Sequence, residues 1–213
     1  MTMVAGMNVA LRLRRFLLLG AVAVAAPAAA QKAKPDAKGA GATPPAAAPA
    51  KPTDVPPRAL PTIERDVARL PLRVAAMREA ILDAAATGDA EKLRLVLERN
   101  EMPPVLARGQ KGDAIAGLKR RSGDGEARET LGLLTALLEA PYVRIGIGTA
   151  QEMYVWPWFA EYPPQSLTPE QLVEVYRILR AGEFKESLAK GKYVSWRLGI
   201  GPDGTWHYFF TGE

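Results

Sequence analysis

From Leu70 onward the apolar positions fall into a helical rhythm. Val74, Met77, Ile81 and Ala84 recur at i, i+3, i+7 and i+10, one face of a helix. Gly88 ends that segment. Asp89 is placed to cap a second helix, with Glu91 favourable in its first turn and Leu93, Val96 and Leu97 on its apolar side. Asn100 and Pro103-Pro104 close it. A short helical segment runs from Asp113 to Arg121. Ser122-Gly123-Asp124-Gly125 then reads as a turn in which Asp124 caps a longer helix; Ala127, Leu131, Leu134 and Leu138 share its face, and Pro141 stops it.

Past Pro141 the period shortens to that of strands. Tyr142 to Ile147 is one. Met153 to Phe159 is another, with Tyr154, Trp156 and Trp158 on one face. Pro157 has no N–H for a ladder, so this strand is expected at a sheet edge or bulged there. Thr168-Pro169-Glu170-Gln171 is a strong helix start: Thr168 caps, Pro169 suits the first position, Gln171 completes a capping box, and Leu167 and Leu172 staple it. Leu172, Val175, Tyr176 and Leu179 point one way, Arg177 and Arg180 suit the last turn, and Gly182 is expected to end this helix. A short helix from Glu183 to Leu188 leads through Gly191 to Tyr193–Phe210, which reads as a hairpin about Pro202-Asp203-Gly204. That turn implies that Ile200 faces Trp206, Leu198 faces Tyr208 and Trp196 faces Phe210, all on one side with Val194. The other side then carries Tyr193, Ser195, Arg197, Gly199, His207 and Phe209.

Two resemblances follow from these residues. Residues 81–100, ILDAAATGDAEKLRLVLERN, resemble the helical hairpin of one ankyrin repeat. A second Gly-Asp-x-Glu at Gly123 does not bring superposable apolar positions with it, and repeat arrays need several stacked copies, so the segment reads as a plain helical hairpin. Residues 61–213 resemble uncharacterised exported proteins of alphaproteobacteria, through Gly88-Asp89, Tyr154-Val155-Trp156-Pro157, Leu167-Thr168-Pro169 and the run from Gly199 to Trp206. That resemblance implies export and assigns no activity. The fold class expected is α+β: N-terminal helical hairpins packed with a small antiparallel sheet that ends in a C-terminal β-hairpin. Every aromatic residue outside the leader lies at or after Tyr142, which divides the folded part into a helical subdomain (61–141) and an aromatic-rich α+β subdomain (142–213).

The first sixty residues change the picture of where the chain works. Arg12, Arg14 and Arg15 precede the apolar run from Phe16 to Ala26, and Ala28-Ala29-Ala30 offers a small-residue cleavage site; residues 1–30 are therefore expected to be a secretory signal peptide. The run is too short for a membrane span, which needs about 20 apolar residues, so no span is expected after cleavage. Residues 31–60 are rich in Ala, Pro and Lys, with little large apolar surface, and are expected to form a disordered linker. Residues 1–60 hold eight basic and two acidic side chains; the 20 basic and 21 acidic ones of 61–213 nearly cancel. The basic balance is thus no footprint for nucleic acid. The location expected is the periplasm or the medium.

Candidate chemistry is sparse. There is no Cys and one His, so no thiolate nucleophile, Cys–metal site or His cluster exists, and no cofactor or metal is expected. Gly146-Ile147-Gly148 lacks the third glycine and the following helix of a nucleotide loop. His207 is a candidate general base. Glu161 and Asp203 are the candidate acid–base pair for glycan hydrolysis. Tyr154, Trp156 and Trp158 are either an aromatic binding strip on an edge strand or the core of the sheet. The favoured function is a non-enzymatic binding or interaction module of the cell envelope, with an envelope protein or wall polymer as partner. The alternative is a carboxylate-dependent periplasmic hydrolase acting on glycans. Oligomeric state is not encoded in these patterns.

Overall fold

The computed structural model describes residues 59–106 and 112–212. The signal peptide expected at 1–30, and all of the linker expected at 31–60 except its last two residues, lie outside them.

Four helices form where the apolar rhythm places them: α1 (Leu72–Ala86), α2 (Glu91–Glu98), α3 (Ala114–Arg121) and α4 (Arg128–Glu139). Val74, Ile81, Leu93, Ile115, Leu131 and Leu134 are buried along their inner faces. Side chains satisfy their orphan amides. Asp89 Oδ1 accepts from the Glu91 amide (2.9 Å), Asp113 Oδ1 from Ala116 (2.7 Å) and Asp124 Oδ2 from Arg128 (3.0 Å). Ala127 is not a helical residue as the pattern suggested. It precedes α4 with φ +68 and is fully buried. One polar group interrupts the apolar face of α1. The buried Arg78 donates from Nε to the Leu138 carbonyl (3.0 Å), pairing a positive group with the carbonyl end of α4, and reaches Glu79 with Nη1 (2.6 Å).

The sheet has five antiparallel strands in chain order: β1 (Ile63–Glu64), β2 (Tyr142–Ile145), β3 (Met153–Trp156), β4 (Trp196–Ile200) and β5 (Trp206–Thr211). The α+β class and the closing β4–β5 hairpin match expectation. The place of β3 does not, because it is the central strand. Its ladder ends at Trp156, so Pro157 has no ladder position to spoil. Trp158 belongs to a 3-10 turn, Trp158–Glu161, and not to the strand.

Both faces of the sheet are used. On one, Tyr142, Tyr154, Trp156, Leu198, Ile200 and Trp206 pack with α1–α4 in a single buried cluster. This cluster runs across residue 141, so the change in composition there does not divide the core. On the other face Val143 and Val155 lie under Trp158, Phe159, Val175, Leu179 and Phe184. Those residues come from the 3-10 turn, from α5 (Pro169–Tyr176) and α6 (Ala181–Lys190), and, for Leu179, from the link between these two helices. The capping box forms as expected: Thr168 Oγ1 accepts from the Gln171 amide and Gln171 Oε1 from the Thr168 amide. Gly182 does not end α5. It sits in the first turn of α6, while α5 stops at Tyr176 with Arg177 as its C-cap.

The hairpin turn is the three-residue loop expected. Gly204 has φ +88, its amide donates to the Gly201 carbonyl (3.0 Å), and the Gly201 amide donates to Thr205 (2.8 Å). Ile200 faces Trp206, as derived from the turn. Beyond that pair the register slips by one, with His207 as the extra residue of a bulge, so that Gly199 faces Tyr208, Leu198 faces Phe209 and Arg197 faces Phe210. The bulge exchanges the faces assigned to the last aromatics. Phe209 goes under the helices, stacked on Trp196 at 4.5 Å, while Tyr208 and Phe210 turn to the opposite side with Arg197. Gly199 leaves room for this: a Cβ there would lie 2.4 Å from Tyr208 Cζ, so the ring lies across bare backbone.

The outer side of β5 is occupied. Asn100 donates from Nδ2 to the Trp206 carbonyl (2.6 Å) and accepts the Trp206 amide on Oδ1 (2.9 Å). The Val105 amide donates to the His207 carbonyl and the Phe209 amide to the Val105 carbonyl, both at 2.9 Å.

Candidate functional site

The second layer covers Val143 and Val155 but stops short of β4 and β5. What remains is an open groove of about 850 Å³. Its floor is Arg197, Tyr208 and Phe210, which share a face because the bulge turned Tyr208 and Phe210 to the side of Arg197. The 3-10 turn contributes Glu161 and its C-cap contributes Tyr162, the loop before β4 contributes Lys192 and Tyr193, and residues 59–61 and the end of β2 close the rim. Tyr162 fixes the entering chain by donating its hydroxyl to the Pro61 carbonyl (2.6 Å).

Arg197 organises the groove. Its Nη2 donates to the Tyr193 carbonyl (2.7 Å), its guanidinium carbon lies 5.2 Å from the centre of the Tyr193 ring, and Nη1 is 3.6 Å from Glu161 Oε1. The last distance is an ion pair and too long for a hydrogen bond. Arg197 Nε is buried without a partner among the described residues. An unmet buried donor costs about 1–3 kcal/mol, so the guanidinium is held here by its other contacts. Tyr208 lies half-buried over Gly199, with Phe210 5.0 Å away at a 44° tilt. Burial, with the nearby Glu161 carboxylate, pushes the Tyr208 phenol well above its ordinary pKa, so it stays protonated. Burial does the same to Tyr193, whose hydroxyl is committed to the Trp196 carbonyl (2.8 Å).

The residues singled out from sequence are scattered relative to this groove. Tyr154, Trp156 and Trp158 are 4 %, 0 % and 0 % exposed. Trp156 packs 5.2 Å from Tyr142, and Trp158 donates from Nε1 to Glu174 (2.8 Å) on α5. They form the core and not an accessible strip: Tyr154 and Trp156 lie on the central strand in the cluster with α1–α4, and Trp158 lies in the layer on the opposite face. Glu161 does line the groove. Asp203 does not: it sits at the hairpin tip, beyond Gly201, and about 13 Å of strand separates Arg197 from Gly201. Its carboxylate is engaged locally, accepting from the Thr205 amide (3.0 Å) and hydroxyl (2.9 Å), and the amide bond leads in holding its pKa below the usual range. His207 stands over Gly201 and not Gly199. A Cβ on Gly201 would lie 2.8 Å from His207 Nε2 and 2.7 Å from Asp203 Oδ1. The structure thus brings Asp203 and His207 together and separates both from Glu161.

Among the described residues no group of three or more His, Asp or Glu side chains is arranged to hold a metal, and no helix is long and apolar enough to cross a membrane. Two smaller cavities are walled by paired charges. In one of about 390 Å³ Arg69 pairs with Glu64 and Arg144 stacks on Tyr154. In one of about 320 Å³ Glu174 takes Arg65 and the Trp158 indole. Arg197 stands on the face expected for it, but Tyr208 and Phe210 escaped the sequence reading because the bulge decides their face. The one local signal was Gly199, a residue with no side chain in an otherwise well-filled strand. No protein-family model, curated protein or solved structure matches the chain.

Proposed function

We propose that this chain is exported and acts, in the periplasm or outside the cell, as a non-enzymatic binding module that holds an envelope protein or wall polymer in the groove over β4 and β5. Export rests on the leader-like residues 1–30. Binding rests on one observation: a large open groove has an aromatic and guanidinium floor and, among the described residues, a single carboxylate, Glu161, which already faces Arg197. Ligand sites combine apolar walls with a few placed polar groups in this way.

Glycan hydrolysis by two carboxylates requires them to flank one bond, about 5–10 Å apart. Glu161 and Asp203 do not share the groove, and Asp203 is taken up by its own turn. That arrangement favours binding over catalysis.

The test has two parts. Residues 1–30 fused to a reporter that is active only outside the cytoplasm should give activity; silence there refutes export. The mature chain, mixed with purified envelope fragments, should sediment with them, and Tyr208→Leu should reduce the sedimented fraction. Equal sedimentation of both proteins, or of neither, refutes the groove as the binding site.

A further inference from the structure

The groove's hydrogen-bonding inventory is one-sided. Tyr208 lies across Gly199, so one ring face is spent on backbone and the other lines the groove. Its hydroxyl has no partner among the described residues, and as a protonated phenol it donates. Lys192 is exposed on the rim, with no ion pair among the described residues. Arg197 Nη1 stands 3.6 Å from Glu161, outside hydrogen-bond range. Against these donors the groove sets, among the described residues, one carboxylate, Glu161, which is already beside a guanidinium. Occupancy therefore favours a ligand rich in acceptor oxygens and negative on balance.

From this we infer that the groove takes an extended glycan strand whose repeat unit carries carboxylates; the inference rests on the groove being the binding site proposed above. A sugar ring offers a flat C–H face to Tyr208 and Phe210, and hydroxyl and carboxylate oxygens around its rim to Tyr208, Lys192 and Arg197. Aromatic platforms with polar tips suit such a ligand. An acidic peptide fits less well. Extended peptides gain affinity by adding a strand to an open sheet edge. Here the floor consists of strands β4 and β5, already paired to each other, and the outer side of β5 is taken by Asn100 and Val105. A peptide backbone would find no open strand edge on this floor to pair with.

Calorimetry on the mature chain at low salt separates the possibilities. The probes are oligogalacturonate, its methyl ester, wall glycan strands stripped of peptide so that their lactyl carboxylates are free, and oligoglutamate. At least one acidic glycan should bind, with the neutral ester about tenfold or more weaker, as loss of one charge-assisted contact implies. Lys192→Gln should weaken the acidic glycan about tenfold, and the difference should shrink in high salt. Tyr208→Phe, which keeps the ring and the fold, should weaken it several-fold. Thermal melts confirm that each variant is folded. Equal binding of acid and ester overturns the charge requirement and leaves the groove reading intact. Oligoglutamate binding as well as the glycans overturns the glycan class. Failure of both acidic glycans to bind overturns the inference outright. Binding that no variant weakens overturns the groove reading itself.

Discussion

Gly199→Ala probes the contact on which the groove floor is built. The added methyl would sit 2.4 Å from Tyr208 Cζ, 2.5 Å from Cε1 and 2.7 Å from the hydroxyl, whereas ordinary contact begins near 3.4 Å. The rigid ring must therefore withdraw by about 1 Å, and its neighbours Arg197 and Phe210 leave little room along the strand. Overpacking of this kind costs about 1–3 kcal/mol. Replacing glycine in a strand interior returns roughly 0.5–1 kcal/mol of backbone entropy. The net expectation is a loss of about 1–2 kcal/mol. Urea unfolding followed by tryptophan fluorescence measures it, since Trp196 and Trp206 flank the hairpin. The decisive comparison is a double-mutant cycle. In a Tyr208→Ala background the clash has no partner, so Gly199→Ala should become neutral or mildly stabilising, giving a coupling of about 1–3 kcal/mol. If Gly199→Ala is harmless alone, or equally harmful in both backgrounds, the ring does not lie where the argument needs it.

Thr168→Ala removes one half of a reciprocal cap and should cost about 1 kcal/mol, read as a shifted urea midpoint with unchanged slope; no shift would mean α5 is held by packing alone. Acrylamide should quench tryptophan fluorescence poorly, because Trp156, Trp158 and Trp206 are fully buried and Trp196 is stacked on Phe209; a large readily quenched fraction surviving Trp196→Phe would contradict that burial. Trp156→Ala should cost about 3–5 kcal/mol as a core deletion, measured by the same unfolding assay; a loss below 1 kcal/mol would contradict its central place. Asp113 is held at about 2 by its hydrogen bond from Arg94, below the unfolded value of 3.8. A lowered folded-state value stabilises above the unfolded pKa and fades as pH falls through the folded one. The melting-temperature difference between the native chain and Asp113→Asn, which retains the cap, should be constant above about pH 5, shrink as pH falls toward about 2 and be gone by about pH 1; a difference that grows on acidification would reverse the sign.

What the sequence made legible was local. Asp89, Asp124, Thr168 and the Pro202-Asp203-Gly204 turn act within a few residues of themselves, and each forms as its chemistry demands. The helix faces of α1, α2 and α4 were legible because periodicity needs no partner. The errors arise where a distant residue decides. Pro157 looked like an edge marker, but whether it matters depends on where β4 stops pairing with β3. Gly182 looked like a helix end, but the Arg180 amide donates to Glu183 Oε2 (2.7 Å) and α6 begins before it. The turn fixed the pairing of Ile200 with Trp206, and nothing local announced that His207 would be skipped. The groove was the least legible feature. It collects residues from five separated stretches, none unusual alone, around a face that the bulge created. Arg78 was likewise hidden, since its partner, the Leu138 carbonyl, lies 60 residues along the chain.

The clasp of Asn100 and Val105 on β5 bears on how the protein survives crowding. A sheet's outermost strand is a template on which a second copy can grow, and growth of that kind ends in aggregates. Here one border is filled from within the same chain and the other is a strand two residues long. Loosening the clasp, as Asn100→Ala would, should show itself less in the melting point than in the concentration at which the protein stops staying monodisperse.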